Sequence, residues 1–277
     1  MKFTKMQGLG NDYIYVNGLE ETVPDPESLA RRISDRHFGV GADGLVLILP
    51  TDRADFQMRM FNADGSEAEM CGNAARCVGK YIHDRGLCKQ EEIRLLTGAG
   101  IKVLQLTVQD GKTVRVRVDM GMPELKPERI PVKLEGDTAV DVPVEAKGQR
   151  FQMTCVSMGN PHAVIFTEDA DRFDVHEVGA ALETHPLFPR KTNVEFVTVK
   201  DREHLRMRVW ERGSGETLAC GTGACATLVA AVLNGVSERK AVLELNGGPL
   251  TVSWDRETNH VWQEGPAEFV FDGDYPA

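Results

Sequence analysis

Short runs in which apolar and polar residues alternate dominate the chain and predict a protein rich in β-strands. LVLILP (45–50), VEFVTV (194–199) and LTVSW (250–254) carry the period of two, or the β-branched run, that is typical of a strand. Gly, Asp and Asn turns separate these runs. The same pattern occurs at 59–65, 103–118, 151–158, 162–167, 204–210, 241–245 and 268–273.

Two surface helices are predicted between the strands. DPESLARRISDRHFG (25–39) offers Asp25 as an N-cap and Pro26 at the first helical position, and it predicts a helix that runs to Gly39. A second surface helix is predicted within DVHEVGAALETH (174–185).

Two further helices are predicted directly after Cys71 and Cys220. They end near Gly86 and Gly235, because glycine suits the left-handed residue that follows a helix. ACATLVAAVL (224–233) is apolar around its whole circumference, so the sheet should enclose this helix. The alternative, helices packed on open sheets, leaves more apolar surface uncovered.

An offset of 149 residues (220 − 71) relates the two halves of the chain. It carries LGNDY (9–13) onto MGNPH (158–162), GLVLI (44–48) onto NVEFV (193–197), FNADGSEAEMCGNAARCVGKYIHDRG (61–86) onto WERGSGETLACGTGACATLVAAVLNG (210–235), and IRLLTGAG (93–100) onto VLELNGGP (242–249). The last match pairs Gly98 with Gly247. We interpret this as an internal duplication; the alternative is two unrelated strand–turn–helix units that share a cysteine.

The duplication predicts an α+β fold of two structurally similar domains related by a pseudo-twofold axis. Each is a curved, mostly antiparallel sheet wrapped around a central helix. One domain comprises residues 1–117 with 263–277, and the other comprises 118–262. The Pro- and Gly-rich stretch 121–137 lacks a partner in the repeat and lies near the predicted boundary.

Composition excludes several classes of protein. The net charge of −10, without a block of Lys and Arg, argues against a nucleic-acid partner. No signal-peptide core and no 18-residue apolar stretch occur, so we expect a cytoplasmic protein without a membrane partner. The six cysteines are too sparse for a disulfide framework, and their spacing does not fit structural zinc.

The two repeated cysteines carry the candidate chemistry. A thiol at a helix start lies beside unpaired N–H groups and the positive end of the helix dipole, which predicts a lowered pKa. The small residues that follow Cys71 and Cys220 let a carboxylate approach those N–H groups. If both thiols face one α-carbon, one can remove its proton while the other delivers a proton to the opposite face. This chemistry inverts the centre without a cofactor.

Five motifs together resemble the diaminopimelate epimerase family of PLP-independent isomerases: GLGNDY, FNADGSEAEMCGNAARC, GNPH, TNVEF and WERGSGETLACGTGACA. The resemblance runs from the first residues to beyond ELNGGPL. It implies interconversion of LL- and meso-2,6-diaminopimelate in lysine and peptidoglycan precursor biosynthesis, in a cleft between the two domains. It also implies a homodimer that needs neither a cofactor nor a metal.

The resemblance assigns roles to individual residues. Cys71 and Cys220 are the implied acid/base pair, with His162 and Glu211 tuning the pKa values of the thiols. The implied substrate-binding residues are Asn11, Asn62, Gly72, Asn73, Asn160, Asn193, Glu211, Arg212, Gly221 and Thr222. Among these, Glu211 and Arg212 are placed at the distal end of the substrate, where a guanidinium can grip a carboxylate with two hydrogen bonds.

Three positions depart from the family pattern. Gly44 stands where some members carry Gln, so that side-chain contact is missing. Ala74 replaces a common Gly, which a helix tolerates if its φ stays negative. Phe271 stands where some relatives carry a Tyr at a dimer contact.

Other functions stay open at this point. A related racemase or isomerase could act on another substrate, although Glu211 and Arg212 favour a substrate with a second charged end. A redox module would join Cys71 and Cys220 in a regulatory disulfide, and a binding protein would hold the amino acid without exchanging its α-proton. Glu67 and Glu216, four residues before each cysteine, fit either a helix-dipole partner or a site residue.

Overall fold

In the computed structural model, which describes residues 1–276, the chain divides into two compact units. Unit 1 comprises Met1–Asp119 together with residues 264–276, and unit 2 comprises Met120–Gln263. Strands dominate both units, and each unit contains two helices.

The elements are numbered in chain order. The strands are β1 (Lys2–Gly8), β2 (Asn11–Asn17), β3 (Gly44–Leu49), β4 (Phe56–Asn62), β5 (Glu67–Ala68), β6 (Glu92–Thr97), β7 (Gly100–Gln109), β8 (Lys112–Gly121), β9 (Val142–Ala146), β10 (Gln149–Ser157), β11 (Pro161–Phe166), β12 (Asn193–Val199), β13 (His204–Glu211), β14 (Gly215–Glu216), β15 (Lys240–Leu245), β16 (Gly248–Trp254), β17 (Val261–Gly265) and β18 (Glu268–Asp274). The helices are α1 (Pro26–Ser34), α2 (Gly72–Asp84), α3 (Val175–Glu183) and α4 (Gly221–Leu233).

Both units have the same mostly antiparallel strand order. In unit 1 the strands pair in the order β18-β1-β2-β3-β4-β6-β7-β8, and only β2–β3 and β4–β6 are parallel. In unit 2 the order is β9-β10-β11-β12-β13-β15-β16, and only β11–β12 and β13–β15 are parallel. β5 and β14 pair with β4 and β13.

The sheet of each unit packs on a central helix, as predicted. α4 contacts β10, β11, β12, β15 and β16, and all its residues from Gly223 to Ala231 are buried. α2 contacts β1, β2 and β7, and it buries even its polar Arg76 and Lys80. Gly86 and Gly235 follow the two helices with φ of +76° and +71°, so both predicted left-handed helix ends are confirmed.

The offset of 149 holds at the level of strand pairing. Leu45 pairs with Phe61 in unit 1, and Val194 pairs with Trp210 in unit 2. The helices α2 and α4 match end to end, with 13 residues each. Equivalent ion pairs, Arg59–Glu67 and Arg208–Glu216, brace the strand before each cysteine. Glu67 and Glu216 therefore have a structural partner in each unit.

The fourth predicted match of the repeat, residues 93–100 with 242–249, is wrong by one residue. The hairpin after α2 closes between Thr97 and Gly100, whereas the hairpin after α4 closes between Leu245 and Gly248. The offset is 148 in this part of the fold, so Gly98 corresponds to Asn246 rather than to Gly247. Unit 2 is one residue shorter between its central helix and this hairpin.

The first surface helix ends earlier than predicted. α1 starts at its Asp25 N-cap but stops at Ser34, five residues before Gly39. The Asp35 carboxylate accepts hydrogen bonds from the N–H groups of His37 and Phe38. A side chain that binds the backbone in this way competes with the helix and ends it. Asp174 caps α3 within the predicted segment.

Asp84, the last residue of α2, supports an acid-stability prediction. Burial alone would raise its pKa, but hydrogen bonds from Lys80, the Thr113 N–H and His83 outweigh burial and lower the pKa to about 2. The folded state therefore gains stability from the Asp84 charge above about pH 4, and that gain is lost as the pH falls towards 2.

We expect Asp84→Asn to lower the urea midpoint at pH 7, because an amide cannot replace the carboxylate between Lys80 and Thr113. The difference from the unchanged protein should close between about pH 4 and pH 2. Urea unfolding at several pH values measures this, with the exposed Asp52→Asn as the control. A gap that is independent of pH would contradict the assignment.

Candidate active site

Cys71 lies at the start of α2 with its side chain beside two asparagines. Its extended backbone, with φ of −137° and ψ of 124°, makes it the N-cap of the helix. Its Sγ lies 3.3 Å from Oδ1 of Asn11, and the side-chain amide of Asn73 donates to the same oxygen at 3.4 Å. Asn11 is fixed in turn because its amide donates to Asp43 at 2.7 Å. Unit 1 thus brings three of the predicted residues together around a partly exposed thiol.

Cys220 occupies the equivalent position at the start of α4. Its backbone is also extended, with φ of −112° and ψ of 110°, but its side chain is buried, with 5% exposed. The Sγ accepts the N–H of Gly223 at 3.4 Å and lies 3.5 Å from the hydroxyl of Thr222. In both units, therefore, a cysteine caps the central helix and precedes a glycine, Gly72 or Gly221.

The predicted lowering of the thiol pKa is wrong for Cys220. Burial raises its pKa well above the ordinary value, and the nearby carboxylates of Glu211 and Glu195 raise it further. Hydrogen bonds from Thr222 and Gly223 act in the opposite direction but are outweighed. The half charge of a helix terminus is too weak to compensate for a thiolate that has left water. Cys220 is accordingly a thiol that holds its proton.

This electrostatic setting predicts how the Cys220 thiol reacts. In a Cys71→Ser background, Glu211→Gln removes a negative charge near the sulfur, so the pKa of Cys220 should fall. The pH dependence of Cys220 alkylation by iodoacetamide should then move to lower pH. Mass spectrometry of the peptide that contains Cys220 measures the rate, and Glu203→Gln on an exposed turn is the control. A shift to higher pH would contradict the electrostatic account.

His162 is linked to Cys220 through two side chains. Its Nε2 lies 3.0 Å from Oδ1 of Asn160, and the amide of Asn160 donates to Thr222 at 3.3 Å. Thr222 then touches the sulfur of Cys220. On its other side, Nδ1 of His162 lies 2.6 Å from Glu195. The predicted residues Asn160, His162, Thr222 and Cys220 therefore form one connected group.

Glu211 and Arg212 lie at the end of β13. Burial raises the pKa of Glu211, and its carboxylate accepts a hydrogen bond from Thr217. Arg212 is exposed and donates from Nη1 to the carbonyl of Arg190 at 3.0 Å. Arg212 thus presents most of its guanidinium to the surroundings, while Glu211 faces Cys220.

Two predicted binding asparagines have their side chains engaged within the fold. The amide of Asn193 donates to Pro161 O at 2.8 Å, and its Oδ1 accepts the Arg212 N–H at 2.9 Å. Asn193 therefore fixes the backbone at Arg212. Asn62 donates to Ser66 at 3.0 Å in the turn between β4 and β5.

The departures at Gly44 and Ala74 have structural explanations. A Cβ on Gly44 would lie 2.0 Å from the carbonyl oxygen of Phe61, so the sheet leaves no space for any side chain there. Ala74 lies within α2 with negative φ and is buried, so the helix tolerates it as predicted.

Sequence reasoning missed three residues of the site. Asp43 fixes Asn11, Thr217 binds Glu211, and Glu195 binds His162. The sequence contained one signal for Glu195, because an acidic residue between Val194 and Phe196 interrupts the apolar run of a predicted strand. Across residues 1–276, no cluster of three or more His, Cys, Asp or Glu side chains is arranged to hold a metal ion.

Comparison with known proteins identifies the family. The family model described as diaminopimelate epimerase matches residues 3–126 and 154–270. The chain belongs to the diaminopimelate epimerase family. The protein named diaminopimelate epimerase from Acetivibrio thermocellus is 63% identical to it, over 99% of this chain and 98% of the relative. The protein of that name from Methanococcus maripaludis is 56% identical, over 99% of both chains. As a member of this family, the chain is an isomerase.

Solved structures with low sequence identity share the fold. A phenazine biosynthesis protein of the PhzF family from Bacillus anthracis matches with a TM-score of 0.72 at 18% identity, over 100% of this chain and 99% of its own. A hydroxyproline epimerase from Agrobacterium vitis matches with a TM-score of 0.69 at 16% identity, over 99% and 90% of the two chains. The predicted α+β fold is therefore confirmed. None of the helices in residues 1–276 combines the length and apolarity that crossing a bilayer requires.

Proposed function

We propose that this protein interconverts LL- and meso-2,6-diaminopimelate with two thiols and no cofactor, serving lysine and peptidoglycan precursor biosynthesis. The observation that carries the proposal is the pair of equivalent helix starts, each capped by a cysteine, in a chain of this family. Inversion at carbon needs a base on one face and an acid on the other, and a duplicated thiol supplies both.

The chemistry follows from each helix start. The first N–H groups of a helix have no partner within it, so those after Cys71 and Cys220 can hold the α-carboxylate of the substrate. One thiolate takes the α-hydrogen as a proton, and the electron pair left on carbon delocalises into the carboxylate. The other thiol then transfers its proton to the opposite face of the carbon. The thiol and thiolate have exchanged roles, so the reverse reaction uses the same groups.

The setting of Cys220 supports its role as the acid when Cys71 is the base. A thiol whose pKa is raised by burial and by carboxylates holds its proton until the carbanion forms. Cys71 is partly exposed, and its sulfur lies 3.3 Å from the neutral amide oxygen of Asn11, which suits a thiol that starts as the base.

The remaining residues are proposed to recognise the two ends of the substrate. Arg212 would bind the distal carboxylate through its fork of donors, and Glu211 would accept a hydrogen bond from the distal ammonium. The other proposed contacts are the side chains or backbone of Asn11, Asn62, Gly72, Asn73, Asn160, Asn193, Gly221 and Thr222. Because these belong to both units, each half, 1–117 with 263–277 and 118–262, would contribute to one site.

The purified protein tests this proposal directly. We expect it to convert LL-diaminopimelate to the meso form and to introduce solvent deuterium at the α-carbon. A racemase for a small amino acid would instead turn over proline or its hydroxylated form and would ignore diaminopimelate. Binding of diaminopimelate without exchange would contradict the proposal.

We also propose that the acting form is a cytoplasmic homodimer. The exposed Val270 and Phe271 on β18 offer apolar surface for a second copy. Light scattering on the purified protein should give twice the chain mass, and Phe271→Glu should return it to the mass of one chain. A single-chain mass for the unchanged protein would contradict the dimer.

A further inference from the structure

Unit 2 contains a buried pair of titratable side chains, His162 and Glu195, in which the roles above leave the hydrogen bond between the two unexplained. His162 on β11 and Glu195 on β12 are both 0% exposed, and Nδ1 of the ring lies 2.6 Å from Oε1 of the carboxylate. Oε2 of Glu195 has no hydrogen-bond partner within residues 1–276. Burying a carboxylate is costly unless it is paired. His162 is the partner that holds this one.

The fold itself does not need the pair. In the exact register of the repeat, Tyr13 of unit 1 corresponds to His162 and Val46 corresponds to Glu195. The strands that carry them pair identically, with Tyr13 opposite Gly44 in unit 1 and His162 opposite Asn193 in unit 2. Unit 1 therefore builds the same sheet with residues that carry no charge there.

The start of α4 is shaped to admit the carboxylate. A Cβ on Gly223 would lie 2.6 Å from Oε1 of Glu195. The equivalent residue in unit 1 is Ala74, and the residue equivalent to Glu195 there is the neutral Val46. Glycine stabilises a helix less than alanine does. Unit 2 therefore has a less stable helix start at Gly223, but this glycine leaves space for the carboxylate of Glu195 close to Cys220.

The partners of His162 fix the orientation of its ring. A carboxylate oxygen only accepts hydrogen bonds, so Nδ1 donates to Oε1 of Glu195. On the other side of the ring, Nε2 contacts the side-chain amide of Asn160. That amide also contacts the hydroxyl of Thr222, which touches the Cys220 sulfur.

We propose that Glu195 is a positioning residue for the thiol of Cys220. Its carboxylate holds Nδ1 of His162 and so fixes the ring, which orients Asn160 and Thr222 against the sulfur. The catalytic consequence of this inference rests on the proposed epimerase function. The hydrogen bond between His162 and Glu195 can be tested without it.

The first test uses the unchanged protein. Nitrogen-15 NMR of labelled histidines should report a proton on Nδ1 of His162, the nitrogen that faces Glu195. An Nδ1 without a proton would overturn the proposal, whatever reaction the protein catalyses.

The second test replaces the acid. Glu195→Gln keeps the shape but removes the charge, and we expect kcat to fall on the order of 10- to 100-fold, with KM changed less than about threefold.

A second variant protects the test against misfolding. Glu195→Val with Gly223→Ala gives unit 2 the residues that unit 1 carries at the two equivalent positions, Val46 and Ala74. This variant should therefore fold and show the same loss of kcat. The matched control is Asp84→Asn, which removes a carboxylate from a histidine at the far end of α2, about 20 Å from Cys71. Its kcat should stay unchanged.

A double variant distinguishes a positioning role of Glu195 from general damage to the fold. If Glu195 acts through His162, the double variant of His162→Gln and Glu195→Gln should be no more than about twofold slower than the slower single variant. Losses that multiply would overturn the proposal. If the unchanged protein has no epimerase activity, the proposed function fails, and the NMR result still decides whether Nδ1 of His162 carries the proton that binds Glu195.

Discussion

Replacing either Cys71 or Cys220 with alanine is expected to lower LL-to-meso conversion on the order of 10³-fold or more, because positioned acids and bases typically contribute 10²- to 10⁴-fold. Each variant keeps the rest of its helix start, so substrate binding should persist. Conversion of both isomers, followed by chiral chromatography, measures the loss.

Cys88→Ala is the matched control for these variants, since Cys88 is also partly exposed but lies after α2 and outside the site. Its activity should equal that of the unchanged protein. If either site variant retained full conversion, the two-thiol mechanism would be wrong. If only one thiol mattered, a single base would have to serve both faces of the carbon.

Gly44→Ala is expected to destabilise the fold by about 3 kcal/mol or more, because overpacked sites cost 1–3 kcal/mol even where side chains can adjust. Here the new Cβ would lie 2.0 Å from a backbone oxygen, that of Phe61, so β3 and β4 would have to separate. The cost should appear as a lower thermal midpoint and a lower urea midpoint.

Gly100→Ala provides the control for Gly44→Ala. Gly100 has a φ of +88°, but no atom lies within 4 Å of the Cβ it would gain. Only backbone strain of about 1–2 kcal/mol should result there. An equal or smaller loss in Gly44→Ala than in Gly100→Ala would show that the sheet adapts around Gly44.

The sequence predicted those elements whose local pattern agrees with their environment. The central helices were predictable from their caps and closing glycines, and the strand at 194–199 from its apolar run. β1 was missed because a bulge between Lys5 and Met6 breaks its alternation. β2 was missed because it begins with Asn11 and Asp12, which favour turns.

The sequence predicted those site residues whose role follows from their place in the repeat and at a helix start. The repeat selected Cys71 and Cys220, and the helix starts followed from it. The pKa of Cys220 was not predictable, because desolvation and the carboxylate of Glu195 arise from strands that only the fold brings near the helix. Asp43 escaped for the same reason, as its contact with Asn11 spans 32 residues.

The last strand of the chain belongs to unit 1, and this affects the order in which the two units fold during translation. β18 pairs with β1, so unit 1 lacks this edge of its sheet until residues 268–274 have left the ribosome. Unit 2 is one continuous segment, Met120–Gln263, and all of it emerges earlier. Since domains fold as units during synthesis, the half translated second can complete its structure first, while the half translated first waits for its last strand.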